Sequence, residues 1–143
     1  MRVLFDTNVI LDVLLARAPH VGPATALLDR VAANDLDGLL GATTLTTIHY
    51  LATKAVGAAL AQRHLRTLLG LFEVAPVTRA VLTDALELGY ADYEHAVLHE
   101  DARHAGAEAL VTRDPKGFPK ARLKVYAPEE LLRFIQATPP TRP

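Results

Sequence analysis

The residues with the most chemical reach are carboxylates placed directly after short apolar runs. Val3-Leu4-Phe5 ends in Asp6-Thr7-Asn8, and Ala109-Leu110-Val111-Thr112 ends in Arg113-Asp114-Pro115. Each run has the length and content of a buried strand, so Asp6 and Asp114 fall at strand ends. In open α/β sheets ligands bind beyond the carboxyl ends of the strands, which makes these two positions the first to consider. Asp92 opens the helical pattern that precedes the Asp114 strand and supplies a third carboxylate. Three such groups in one cleft repel one another strongly, and together they form the hard-oxygen environment that Mg²⁺ or Mn²⁺ requires. Glu94 stands in reserve in the first turn of the same helix, and His95 offers a nitrogen that would shift preference from Mg²⁺ towards Mn²⁺. Taken singly, each aspartate also fits a plainer part: Asp6 and Asp92 as helix N-caps, Asp114 as a turn former before Pro115.

Other chemistries lack their residues. The 143-residue chain contains no cysteine and no serine, so thiolate zinc sites, disulfide scaffolds and serine or cysteine nucleophiles are excluded. No glycine pattern matches a dinucleotide fingerprint or a P-loop. His95 and His99 lie one helical turn apart, but Ala96-Val97-Leu98 between them lacks the glutamate of an HExxH zinc motif. Fifteen basic against sixteen acidic residues leave a net charge of -1, so any polyanion must be held locally. Half the residues are hydrophobic, enough to close a core, and charges interrupt every apolar run before it could span a bilayer. A cytoplasmic protein with no membrane association is expected.

The elements that must position these side chains follow from periodicity. Strands are expected at Val3–Phe5, around Leu39-Leu40, at Phe72–Ala75, Ala109–Thr112 and Lys124–Tyr126. Helical stripes fall between them. Ala24, Leu27, Leu28 and Val31 form one, and Thr43 and Thr44 are placed to cap another through Ile48, Leu51 and Ala52. Gly57 separates that helix from one through Leu60, Leu65 and Leu68, and the pair forms a helical hairpin. Strands alternating with helices imply an α/β fold, a central parallel sheet with helices on both faces. Residues 1–137 are read as one domain and 138–143 as a proline-rich tail.

Four segments together resemble the PIN domain family: Phe5 to Asp12, Ala42 to Leu51, Asp92 to Val97, and Val111 to Phe118. They occur in the family's order and spacing and cover nearly the whole chain. The resemblance implies a PIN-like ribonuclease that uses Mg²⁺ or Mn²⁺ to hydrolyse RNA phosphodiesters, as in VapC-type toxins, often dimeric and neutralised by a cognate antitoxin protein. Asp6 matches the first acidic position, with Asn8 its usual companion, and Asp114 is kept in the fourth motif. Thr47 stands where the second motif has glutamate, His95 where the third has aspartate, and Gly117 where the fourth has an aspartate before Phe118. The resemblance places Asp6 and Asp114 in the site; Asp92, three residues and about 60° around the helix from His95, is the substitute third carboxylate. Catalysis and metal binding are therefore expected of Asp6, Asp92 and Asp114, with Glu94 in reserve and His95 as a nitrogen ligand, and RNA contacts of Asn8 and of Arg113 and Lys116 on the adjoining loop. The same replacements admit a catalytically degenerate PIN-like domain that binds RNA or a protein. A phospho-acceptor receiver domain would need an aspartate at the end of the middle strand, where Ala75-Pro76 stands.

Overall fold

The structure is a computed structural model and describes residues 1–138; the tail beyond Thr138 lies outside the described residues. Five strands, β1 (Arg2–Phe5), β2 (Asp37–Gly41), β3 (Glu73–Ala75), β4 (Ala109–Val111) and β5 (Lys124–Tyr126), form one sheet in the order β3-β2-β1-β4-β5. Every pairing is parallel. From β1 the chain steps outward one way through β2 and β3, then returns to the other side of β1 for β4 and β5. The order thus reverses between β1 and β4, and the cleft at their carboxyl ends is the topological switch point.

The strands are short and almost wholly apolar because both faces are covered. Val3 and Phe5 face a core with α1 (Thr7–Leu14), α2 (Val21–Ala32), α3 (Ala42–Val56), α4 (Ala58–Leu71) and α7 (Pro128–Ala137). Leu4 and Leu110 face the opposite core, where Leu98 and Ala102 of α6 (Tyr93–His104) meet Phe118. The helix α5 (Arg79–Glu87) packs on α6 through Val81 and Ala85. Gly57, at φ +90°, joins α3 to α4 in the expected hairpin.

One expected detail differs. Thr43 and Thr44 do not cap α3; the helix begins at Ala42 with Gly41 as its N-cap. Gly41 is also the last residue of β2, and a Cβ there would lie 2.8 Å from the Asp101 carboxylate, so the strand passes into the helix with no room for a capping side chain. Thr44 is instead buried, and its hydroxyl accepts a hydrogen bond from the Thr7 hydroxyl at 3.1 Å.

Candidate active site

Asp6 follows β1 immediately and is only 5 % exposed. One carboxylate oxygen accepts the Thr7 N–H at 2.7 Å, and the other accepts the Thr112 hydroxyl at 2.8 Å. Thr112 in turn accepts the Asp114 N–H at 3.0 Å. A single buried threonine thus ties the ends of β1 and β4 together and sets Asp114 beside Asp6. Burial pushes the Asp6 carboxyl above its ordinary range; the Thr112 and Thr7 hydrogen bonds and nearby His95 oppose this, and Asp114 adds to it. A positive charge in this cleft would offset that penalty.

The third and fourth groups arrive on α6. Asp92 is its N-cap, accepting the Glu94 N–H at 2.9 Å and the His95 N–H at 3.4 Å on one oxygen. Its other oxygen lies 3.6 Å from His95 Nδ1. The His95 ring rests on Phe118, with centroids 4.7 Å apart. It also occupies the space a side chain at position 117 would need: a Cβ on Gly117 would meet His95 at 2.7 Å and the Asp114 carboxylate at 2.9 Å. The departures from the family pattern at His95 and Gly117 are therefore one change in space. A longer ring on α6 fills the volume vacated by the missing side chain.

Asp6, Asp114 and His95 share one patch, and Asp92 joins it through His95. Their ligand atoms are not all drawn within 4.8 Å of one another; among the described residues the group that meets that distance is Asp84, Glu100 and His104, on α5 and α6. In that group Glu100 is already neutralised by two hydrogen bonds from Arg103, at 2.8 and 3.1 Å, and one from His99 at 2.9 Å. Arg103 is the main reason its carboxyl is held below the ordinary range. In the cleft at β1 and β4, by contrast, no lysine or arginine among the described residues pairs with Asp6 or Asp114, which leaves their negative charge uncompensated and makes this the better cation environment. Carboxylate oxygens with one imidazole nitrogen match the preferences of Mn²⁺ and, through the oxygens alone, Mg²⁺.

The remaining expected residues are placed as follows. Glu94 is exposed at the start of α6 with its backbone N–H held by Asp92. Asn8 is exposed on α1, its side-chain oxygen 3.4 Å from the Arg17 guanidinium. Lys116 is exposed on the loop after β4. Arg113 does not stand free: its Nε lies 2.8 Å from Asp12, a charge contact without hydrogen-bond alignment, and Arg17 donates to the other Asp12 oxygen at 2.8 Å. Asp12 is fully buried, so it serves this pair rather than the cleft. The Thr47 hydroxyl turns back to the Thr43 carbonyl at 3.2 Å, so α3 sends no acid into the cleft at the position of the missing glutamate.

A sequence profile of the PIN domain matches residues 2–116. The chain belongs to the PIN domain family. No curated protein sequence matches it significantly. Among solved structures, this PIN domain is similar to FitAcB from Neisseria gonorrhoeae, with a TM-score of 0.70 and 22% identity over 89% of this chain and 98% of that one. A toxin-antitoxin complex from Klebsiella pneumoniae aligns with a TM-score of 0.69 and 23% identity, covering 88% and 97% of the two chains. VapC20 from Mycobacterium tuberculosis, a toxin that cleaves the Sarcin-Ricin loop, aligns at 0.62 and 16% identity, covering 76% and 86%. At these identities the likeness is one of fold. Among the described residues no helix is long and apolar enough to cross a membrane.

Two features of the site have no counterpart in the expectations. Thr112 is the buried bridge between Asp6 and Asp114, a role hidden because threonine at a strand end has many commoner uses. Asp101 is 1 % exposed with neither carboxylate oxygen hydrogen-bonded, and burial pushes its carboxyl up to about 7. Only the fold reveals that this helix position faces Gly41 instead of solvent.

Proposed function

We propose that this PIN domain is a divalent-cation-dependent endoribonuclease, the toxin component of a type II toxin-antitoxin pair, acting in the cytoplasm as a homodimer. The observation that carries this reading is the Thr112 bridge, which holds buried Asp6 and solvent-facing Asp114 side by side at the switch point. Asp6, Asp92 and Asp114 would hold the cation, with His95 as a nitrogen ligand and Glu94 within the same first helical turn. When bound, the cation supplies a polarised water and offsets charge on the scissile phosphate. The rest is the work of side chains. Thr112 and the Thr7 N–H fix the Asp6 carboxylate, so it needs no reorganisation when substrate arrives. Asp114, exposed to solvent, is the proton acceptor best placed beside an RNA strand. Asn8 and Lys116 border the cleft and would position the backbone, while Arg113 orders the loop through Asp12 and reaches substrate only if that pair opens. Exposed apolar side chains on the α3–α4 hairpin, including Tyr50, Leu60 and Leu69, suit burial against a second copy or an antitoxin.

Calorimetric titration with Mn²⁺ and cleavage of single-stranded RNA test the reading. Mn²⁺ binding in the wild type that Asp6→Asn abolishes, with RNA turnover lost in an Asp6→Ala, Asp114→Ala double variant, is the expected outcome; equal turnover by wild type and double variant refutes it. The open spacing of the ligand atoms and the Thr47 hydroxyl held on its own helix favour a second reading, a PIN domain that binds RNA without cutting it. Persistent RNA binding with no Mn²⁺ heat and no cleavage would select that one.

A further inference from the structure

The charge of this chain is not evenly spread. Residues 113–124 carry five cations, Arg113, Lys116, Lys120, Arg122 and Lys124, against the single acid Asp114, whereas the whole chain carries fifteen against sixteen. This segment begins at the cleft, at the carboxyl end of β4. It ends where Lys124 pairs with Ala109 at the amino end of the same strand. It therefore descends the full height of the sheet on the α6 side, anchored by Phe118 in the core.

Lys116, Lys120, Arg122 and Lys124 are all exposed, and none has an ion-pair partner among the described residues. The backbone beneath them is held in place. Arg122 N–H donates to Nε2 of fully buried His99 at 3.0 Å, while His99 Nδ1 lies 2.9 Å from Glu100, so the ring is neutral with its proton on Nδ1. Lys120 has φ +51°, a left-handed conformation that a side chain of this kind seldom adopts. Between this stretch and the end of α5 lies a cleft of about 320 Å³, bordered by Tyr90, Pro119, Lys120 and Arg122, with Glu87 on its far side. Tyr90 is two ring contacts from the site: its centroid is 6.4 Å from Phe118, which stacks at 4.7 Å on His95.

We infer that Lys120 and Arg122 form a second phosphate-binding position for single-stranded RNA, beyond the Asp6–Asp114 cleft, with a nucleotide seated against Tyr90 and Pro119. This rests on the reading of the Asp6–Asp114 cleft as an RNA site. A single strand tracks a line of cations with its phosphates and presents bases and ribose to neighbouring apolar and aromatic surface. In a molecule with a net negative charge this strip is the favourable route away from the cleft, and Glu87 across it, unpaired among the described residues, would turn the strand along the strip rather than across it.

The test uses fluorescence anisotropy of an end-labelled single-stranded RNA on the full chain in chelator, where binding is read without cleavage. A Lys120→Gln, Arg122→Gln variant keeps the Arg122 backbone N–H and should bind roughly tenfold more weakly. Its slope of log Kd against log salt should be lower by about 1.4, at about 0.7 for each phosphate that is no longer neutralised. An Arg30→Gln, Arg133→Gln variant on α2 and α7 makes the same change in net charge and should bind as the wild type does. Equal effects of the two double variants, an unchanged salt slope, or no RNA binding by the wild type would overturn the inference. So would a polyglutamate peptide that binds the wild type more tightly than RNA and fails to bind the Lys120→Gln, Arg122→Gln variant. Cleavage assayed separately distinguishes the two levels. A chain that binds through Lys120 and Arg122 without cutting refutes only the nuclease, and one that cuts normally with both replaced refutes only the second position.

Discussion

Asp101 is the group whose behaviour follows most directly from its surroundings. It lies on α6 with 1 % exposure, faces the Cα of Gly41, and has no hydrogen-bond partner on either oxygen. Burial raises its carboxyl from an ordinary 3.8 to about 7, opposed only by the charge of His104. A carboxyl raised in this way binds its proton more tightly folded than unfolded. The associated stability is fully present below about pH 4 and is lost as the pH rises towards 7, above which the loss is constant. At about 1.4 kcal/mol per pH unit between the two values, the total is about 4 kcal/mol, of which about 2.5 falls between pH 5 and pH 8. Replacing Asp101 with asparagine keeps the shape and removes the titration. Urea unfolding of both proteins at pH 5 and pH 8 isolates the effect, because the fixed cost of burying an amide and the titration of all shared groups cancel in the difference of differences. Asp101→Asn should gain about 2.5 kcal/mol relative to wild type on going from pH 5 to pH 8. A relative change within about 0.5 kcal/mol would mean that the carboxyl finds water or a partner, and would refute the account of its burial.

Three further expectations concern packing and charge. Gly117→Ala should destabilise the fold by about 1–3 kcal/mol, because the added methyl meets the braced His95 ring, and His95→Ala in the same chain should restore most of the loss; a neutral Gly117→Ala would show that the ring moves freely. Asp12→Ala should cost about 3–5 kcal/mol in denaturant unfolding, since it leaves two guanidinium groups around an apolar hole, and a loss below about 1 kcal/mol would mean that solvent screens the pair. Gly38→Ala should cost about 1–3 kcal/mol, because its Cβ would fall 2.6 Å from the Phe72 ring, itself packed edge-on against Phe5 at 5.2 Å; unchanged thermal unfolding would contradict this.

Below 25% identity, this PIN domain shares its fold with FitAcB and with a chain of a toxin-antitoxin complex over nearly the whole of the compared chains, while its acidic set departs from the family pattern. Thr47 bonds to its own helix, and His95 and Gly117 trade volume across the cleft. A cation bound here would meet fewer carboxylates and one more nitrogen than the family pattern provides, which is why Mn²⁺ is the metal to try first.

Strand positions, the helix stripes, the capping role of Asp92 and the family resemblance were all written in local order, because strand and helix periods and capping preferences act within a few residues. The placing of Asp6 and Asp114 at strand ends was legible for the same reason. Their adjacency was not: it depends on β4 returning beside β1, and on Thr112 reaching across a separation of 106 residues to bond Asp6. The burial of Asp12 and Asp101, the attachment of Arg113 to Asp12, and the meeting of His95 with Gly117 likewise arise where elements distant in the chain close on one another. Local sequence sets which element forms, since backbone sterics and side-chain period are short-range; which side chains lose water and which charges meet is decided only when those elements pack.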